Sequence, residues 1–214
     1  MRMLKLPFLA LLLLVGMGLA STAQATLVAR LGGQAVYDTD RNITWLADAN
    51  YANTSGYAAE GLMNWAAANT WATSLNVGGV AGWRLPTALN ADGSGPDYGY
   101  GSGSELGHLY YTVGGLTQGQ KITSSAYLSS FFSNMKIGGG YWSGNEYAPL
   151  PGNAWAYFTY LGLQNYDVKE VHYYAWAVHD GDVGVPAVPE PEQYMMMLVG
   201  GCAIWLRARA RRRG

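Results

Sequence analysis

The chain has 214 residues, half of them hydrophobic and 13% aromatic, with 13 Lys and Arg against 14 Asp and Glu and a formal charge of −1. Arg2, Lys5 and the five arginines beyond position 206 take 7 of the 13 basic residues, leaving positions 26–187 with 6 basic residues against 12 acidic ones. That acidic balance argues against nucleic acid or sulfated polyanions held by bulk electrostatics, because such binding needs clustered Lys and Arg.

At the N-terminus, Arg2 and Lys5 precede the apolar run Leu6 to Leu19, and Ala23-Gln24-Ala25 follows with the small-x-small pattern cut by signal peptidase. Residues 1–25 therefore read as a secretion signal, and the mature chain is expected to begin at Thr26. A retained anchor is the alternative, but the uncharged run is short for a span of roughly 20 residues. Positions 26–187 are about the size of one domain and long enough to bury a core. The single cysteine, Cys202, lies beyond them, so no internal disulfide can support the domain. Seven Trp and fifteen Tyr within it supply the packing.

Along that domain, Ala35 to Asp38 and Ile43 to Leu46 read as strands joined by the polar turn Asp40-Arg41-Asn42. Glu60 to Leu75 reads as a helix with Leu62, Trp65, Ala66, Ala72 and Leu75 on one face, ended by Gly78-Gly79. Next comes Gly82-Trp83-Arg84-Leu85-Pro86-Thr87. Pro86 forces Leu85 into an extended conformation, giving a stiff junction. Trp83 is expected in the core, and Arg84 is expected to pair with a carboxylate and bond carbonyls across the junction rather than meet a ligand. Asn90 to Ser104, with five glycines, predicts a loop. Ser102 and Glu105 have capping-box spacing for a second, short helix through Leu106, Leu109 and Tyr110. Tyr141 to Ala148, Ala154 to Tyr160 and Tyr173 to Gly181 alternate as antiparallel strands, with Trp142 expected to be structural. Two helices amid short strands make an α+β domain.

The chain ends with Val188-Pro189-Glu190-Pro191, an apolar run from Tyr194 to Leu206, and Arg207, Arg209, Arg211, Arg212 and Arg213. At about 1.5 Å per residue the run reaches roughly 20 Å, short of a hydrocarbon core of about 30 Å, and the arginines extend it by snorkelling on the cytoplasmic side. Residues 188–214 resemble the PEP-CTERM sorting signal. The resemblance implies a Gram-negative exporter in which the membrane protease exosortase removes the transmembrane helix and basic tail. The protein would be membrane-anchored at first, then at the cell surface or extracellular.

A second resemblance covers the domain from about Val36 to Gly184. It rests on Val36-Tyr37-Asp38 with Thr44-Trp45, the tryptophan-bearing helix, GWRLPT, Ser104-Glu105-Leu106, Tyr141-Trp142-Ser143 and Tyr174-Ala175-Trp176-Ala177-Val178. These are similar to the Lcl C-terminal domain family. The resemblance implies a C-type-lectin-like fold and a bacterial surface protein or adhesin that binds glycans or glycosaminoglycans. There is no collagen-like stalk, so trimerisation is not carried over, and the acidic balance disfavours glycosaminoglycans.

For chemistry, a WRLP-type motif also occurs in the formylglycine-generating family, whose enzymes hold copper through cysteines that this domain lacks. His108, His172 and His179 stand among twelve carboxylates without an HExxH or GxSxG pattern, so no catalytic residue is expected. Calcium is a possible cofactor: Asp92, Asp97 and Glu105 offer oxygens from one loop, and Asn145 with Glu146 from another. Solvated turn carboxylates explain the same residues, and the EF-hand pattern that opens at Asn90 fails at Gly101. The expectation is a non-catalytic surface or matrix protein, bound to exopolysaccharide through Tyr98, Tyr100 and Tyr147. The alternative is a purely structural matrix protein with its aromatics inside.

Overall fold

Residues 26–184 are described by a computed structural model; the expected secretion signal and the Pro-Glu-Pro sorting segment lie outside the described residues. In chain order the strands are β1 (Leu27–Arg30), β2 (Ala35–Asp38), β3 (Ile43–Leu46), β4 (Leu62–Met63), β5 (Gly99–Tyr100), β6 (Tyr141–Glu146), β7 (Asn153–Phe158), β8 (Leu163–Val168), β9 (Tyr173–Tyr174) and β10 (Val178–Asp180). The helices are α1 (Tyr51–Thr54), α2 (Trp65–Ser74), α3 (Glu105–Gly107), which runs on as a π-helical turn over His108–Val113, and α4 (Ala126–Phe131). One sheet has the order β1-β2-β3-β10 and the other β4-β9-β6-β7-β8-β5. Neighbours are antiparallel except β6 and β9. The domain is thus a mixture of helices and mostly antiparallel sheets, and no helix among the described residues is long and apolar enough to cross a membrane.

The β2–β3 hairpin forms about the polar turn that the sequence predicts. Asp38 closes its turn by accepting from the amides of Asp40 (3.0 Å) and Arg41 (3.4 Å), and Asn42 takes the positive φ that the reversal requires. The first of the two expected helices is α2, which α1 precedes, and it begins later than its apolar spacing predicts. Asn64 caps it by accepting from the Ala67 amide at 2.9 Å, while Leu62 and Met63 leave the helix to pair with Tyr174 and Tyr173. Its inward face is Ala68, Trp71 and Ala72, with Leu75 just beyond; Ala66 is exposed. The second helix starts at Ser104 rather than Ser102: Ser104 Oγ accepts from the Gly107 amide at 3.2 Å. The Ser102 carbonyl instead accepts from Arg41.

The segment Tyr173 to Asp180, which alternates like one strand, divides between the sheets. Tyr173–Tyr174 pairs in the larger sheet and Val178–Asp180 in the smaller, with Ala175, Trp176 and Ala177 wholly buried between. Trp176 sits at the centre of the core, its ring 5.1 Å from Trp45, 5.0 Å from Phe132 and 5.6 Å from Tyr141. Its Nε1 donates to the Leu46 carbonyl at 2.8 Å, so the one polar atom of the ring is satisfied without water. Trp142 is buried in the same way, donating to the Met63 carbonyl at 2.9 Å.

The GWRLPT stretch closes the fold. Trp83 is buried and donates to the Val80 carbonyl at 2.9 Å. Arg84 exchanges two backbone hydrogen bonds of 2.8 Å with Val178, and buried Pro86 accepts from the Gly144 amide at 2.8 Å. One six-residue motif therefore binds both the last strand of the smaller sheet and β6 of the larger.

Candidate functional site

The glycine-rich segment expected as a loop pairs briefly with a sheet. Gly99 and Tyr100 lie opposite Gln164 and Leu163, so the loop is pinned to the edge of β8. Gly99 has φ +115°, a conformation that a residue with a side chain rarely adopts, and this lets the turn reach the edge. At Gly103 a Cβ would overlap the Asn90 side chain, so the return limb of the loop must be bare there. Between the two limbs lies a recess of about 150 Å³, walled by Asn90, Asp97, Tyr98, Tyr100 and Ser104, with Gln164 among its lining.

The recess has a definite chemistry. Tyr98 is 65% and Tyr100 49% exposed, so two large rings stand at its mouth in solvent. No Lys, Arg or His lines it. Gln164 is almost fully buried, and its Nε2 donates to the carbonyls of Ala88 (3.0 Å) and Asp97 (2.8 Å). That fixes the orientation of the amide and leaves Oε1 without a hydrogen-bond partner. An unsatisfied buried acceptor costs about 1 to 3 kcal/mol. Asp97 accepts from Asn90 Nδ2 at 2.7 Å. The wall thus offers oxygen acceptors and flat apolar faces, and no cation.

Tyr147 is not on the recess. It stacks on Tyr166 with centroids 3.7 Å apart and planes within 6°, and Trp155 meets the pair edge-on. Tyr98 reaches the same stack, 6.3 Å from Tyr166. Tyr166, Gln164 and Asn90 were not expected as site residues. Gln164 and Tyr166 belong to β8, whose sequence Leu-Gln-Asn-Tyr-Asp-Val has no clear alternation to mark it as a strand.

The expected calcium oxygens do not converge. Glu105 is buried and its carboxylate is bound by Arg84 Nη1 (2.9 Å) and Nη2 (2.7 Å) and by the Thr87 amide (2.7 Å), so it is no loop ligand. Asp92 accepts from the amide and hydroxyl of Ser94, which hold its carboxyl below the usual range. Asn145 accepts from the Thr87 hydroxyl and the Ala88 amide, while Glu146 pairs with Lys169 at 2.6 Å. Among the described residues, no group of three or more His, Cys, Asp or Glu is placed to hold a metal ion.

Arg84 also takes a second carboxylate, Asp180 Oδ1, at 2.5 Å from Nη2 and 3.1 Å from Nε. Burial opposes its charge, but the hydrogen bonds it donates to Glu105 and Asp180 outweigh that and hold the guanidinium pKa above its ordinary value. The three histidines stand apart: His172 is exposed, His179 packs edge-on against Trp83, and His108 is buried 3.6 Å from Asp38 Oδ2. No protein-family model matches the chain, and neither a curated protein nor a solved structure is similar to it.

Proposed function

We propose that this chain is an exported, non-catalytic surface or matrix protein that binds a neutral exopolysaccharide through the recess beside Tyr98 and Tyr100. The observation that carries the reading is two exposed tyrosine rings over a cation-free wall of oxygen acceptors. Sugar hydroxyls are donors for such a wall, and the C–H faces of a sugar ring suit an aromatic face. An anionic polymer would meet Asp97 and the six excess negative charges of positions 26–187. Tyr147, whose ring is covered by Tyr166, extends the aromatic surface next to the recess rather than forming it.

The test is retention of the full chain on immobilised dextran, cellulose and mannan across salt, for the wild type and for Tyr98→Ala with Tyr100→Ala. Retention that ignores salt and is lost in the double variant is expected. Steep salt dependence untouched by the substitutions would point to charge and end this reading. Chelation is expected to leave retention unchanged, because the loop oxygens are held by protein donors.

The same proposal includes a C-type-lectin-like fold, supported by short antiparallel strands with the last strand laid beside the first hairpin. It includes sorting by exosortase to the cell surface, supported by the Pro189-Glu190-Pro191 motif, the short apolar run and the arginine cluster. Mass spectrometry of the mature protein is expected to find Trp205 and the arginines missing. A purely structural matrix role is favoured by a different observation: Trp45, Trp71, Trp83, Trp142 and Trp176 are all buried, so most of the aromatic mass serves packing.

A further inference from the structure

Tyr100 is shared by two recesses. It lines the recess that holds Gln164, and it also lines a second, more open one of about 360 Å³ bounded by Ser102, Tyr111 and Gln118. Tyr98 is shared in the same manner, because it walls the first recess and touches the Tyr166–Tyr147 stack. The contacts therefore run without a break from the stack to Tyr98, across the first recess to Tyr100, and into the second recess. A ligand that filled only one recess would leave the other in water.

Resting on the proposed glycan reading, we infer that this surface binds an internal stretch of a neutral glycan chain, with at least two neighbouring sugar units, one in each recess that Tyr100 lines. Two observations carry this independently of each other. The first is the paired recess about one exposed ring. The second is the chemistry of the first recess, whose lining holds Asn90, Asp97, Ser104 and Gln164 and no cation. Such a lining suits sugar hydroxyls, and the Asp97 carboxylate disfavours an anionic ligand. The second recess supplies an exposed amide, Gln118, which bonds hydroxyls as donor or acceptor. Its other wall is firm: the Tyr111 hydroxyl donates to the Gly162 carbonyl at 2.8 Å. Neither recess is an enclosed cavity, so a ligand longer than one unit need not present an end.

The experiment is calorimetric titration of the full chain in detergent with oligomers of one to six units prepared from dextran, cellulose and mannan. For the polymer that binds, affinity is expected to rise about tenfold or more from one unit to three, as a second set of contacts is added without a second loss of translational freedom. Tyr100→Ala is expected to abolish that rise. Gln118→Ala is expected to weaken the longer oligomers and leave the single unit unchanged. Oligomers blocked at both ends are expected to bind as well as free ones. Equal affinity for one unit and for six, or loss of binding on blocking the ends, would overturn the two-recess inference while the glycan reading survived. No binding by any oligomer or parent polymer would overturn both.

Discussion

Arg84 gathers carboxylates from 21 and 96 residues along the chain, and its geometry explains why the residue is arginine. The planar fork meets both oxygens of Glu105, a third bond reaches the Leu85 carbonyl, and Asp180 takes the remaining edge. Lysine keeps the charge but cannot make the paired bonds. Arg84→Lys is therefore expected to lower stability by about 1 to 3 kcal/mol, and Arg84→Ala by more, since Glu105 is left buried and unpaired. Urea denaturation measures this, and a loss below about 0.5 kcal/mol for Arg84→Lys would contradict it. His108 makes a second prediction at this scale. Burial pushes its pKa down from 6.5, with the nearby Asp38 charge opposing the shift, while burial pushes the Asp38 carboxyl up. The lowered histidine contributes stability above pH 6.5 that is lost as the pH falls through its folded pKa. The raised carboxyl works in the opposite sense: its contribution is present below pH 3.8 and is lost as the pH rises through its folded pKa. Stability is thus expected to fall as the pH drops from 7 through the folded pKa of His108, and the carboxyls of Asp92, Asp180 and Asp182, which their partners hold down, add to the loss at lower pH against the Asp38 contribution. The His108 ring resonance should titrate below about 6.5, and a midpoint above that value would refute the account.

β8 shows how an element manages an exposed edge. It pairs with β5 only at Leu163 and Gln164, so the outer edge from Asn165 to Val168 has no neighbouring strand. The amides of Tyr166 and Val168 are occupied locally, donating to the side chains of Asn165 at 2.7 Å and Asp167 at 2.8 Å. Asp167 also accepts from the Tyr173 hydroxyl at 2.7 Å, which holds the carboxylate in place. A strand arriving from another molecule finds these donors already used. Replacing Asn165 and Asp167 together with alanine is expected to promote self-association. Light scattering across protein concentration checks it, and a variant that stays monodisperse while the wild type does too would show the edge needs no such guard.

For the whole molecule, the consequence of dividing Tyr173 to Asp180 between two sheets is cooperativity. The segment cannot leave one sheet without pulling Trp176 out of the core that both share. Arg84 and Pro86 repeat the connection through Val178 and Gly144, and Arg30 ties β1 to the end of the described chain by a paired bond to Asp182, whose carboxyl this pulls down. The expectation is one unfolding transition, with tryptophan fluorescence and far-ultraviolet circular dichroism tracing the same curve. Two separated transitions would mean that the sheets are independent units.

What the sequence determined by itself was local and periodic. Short apolar runs flanking a polar turn located β2 and β3 to the residue, and alternation of aromatic with small or polar residues found β6 and β7. Glycine density located the loop, and the scarcity of core neighbours there made Tyr98 and Tyr100 legible as exposed rings. Tertiary structure decided the rest. Leu62 and Met63 have helical spacing, yet they serve as a strand because Tyr173 and Tyr174 offer a partner edge. Glu105 looked like a loop oxygen and is a buried partner of Arg84, since a carboxylate's role depends on which cation the fold brings to it. The recess joins Asn90, Tyr98 and Gln164 across a sheet edge, and neither periodicity nor composition records a contact between residues so far apart in the chain. Local preference is set by neighbours along the backbone, whereas a site is set by which distant surfaces packing brings together.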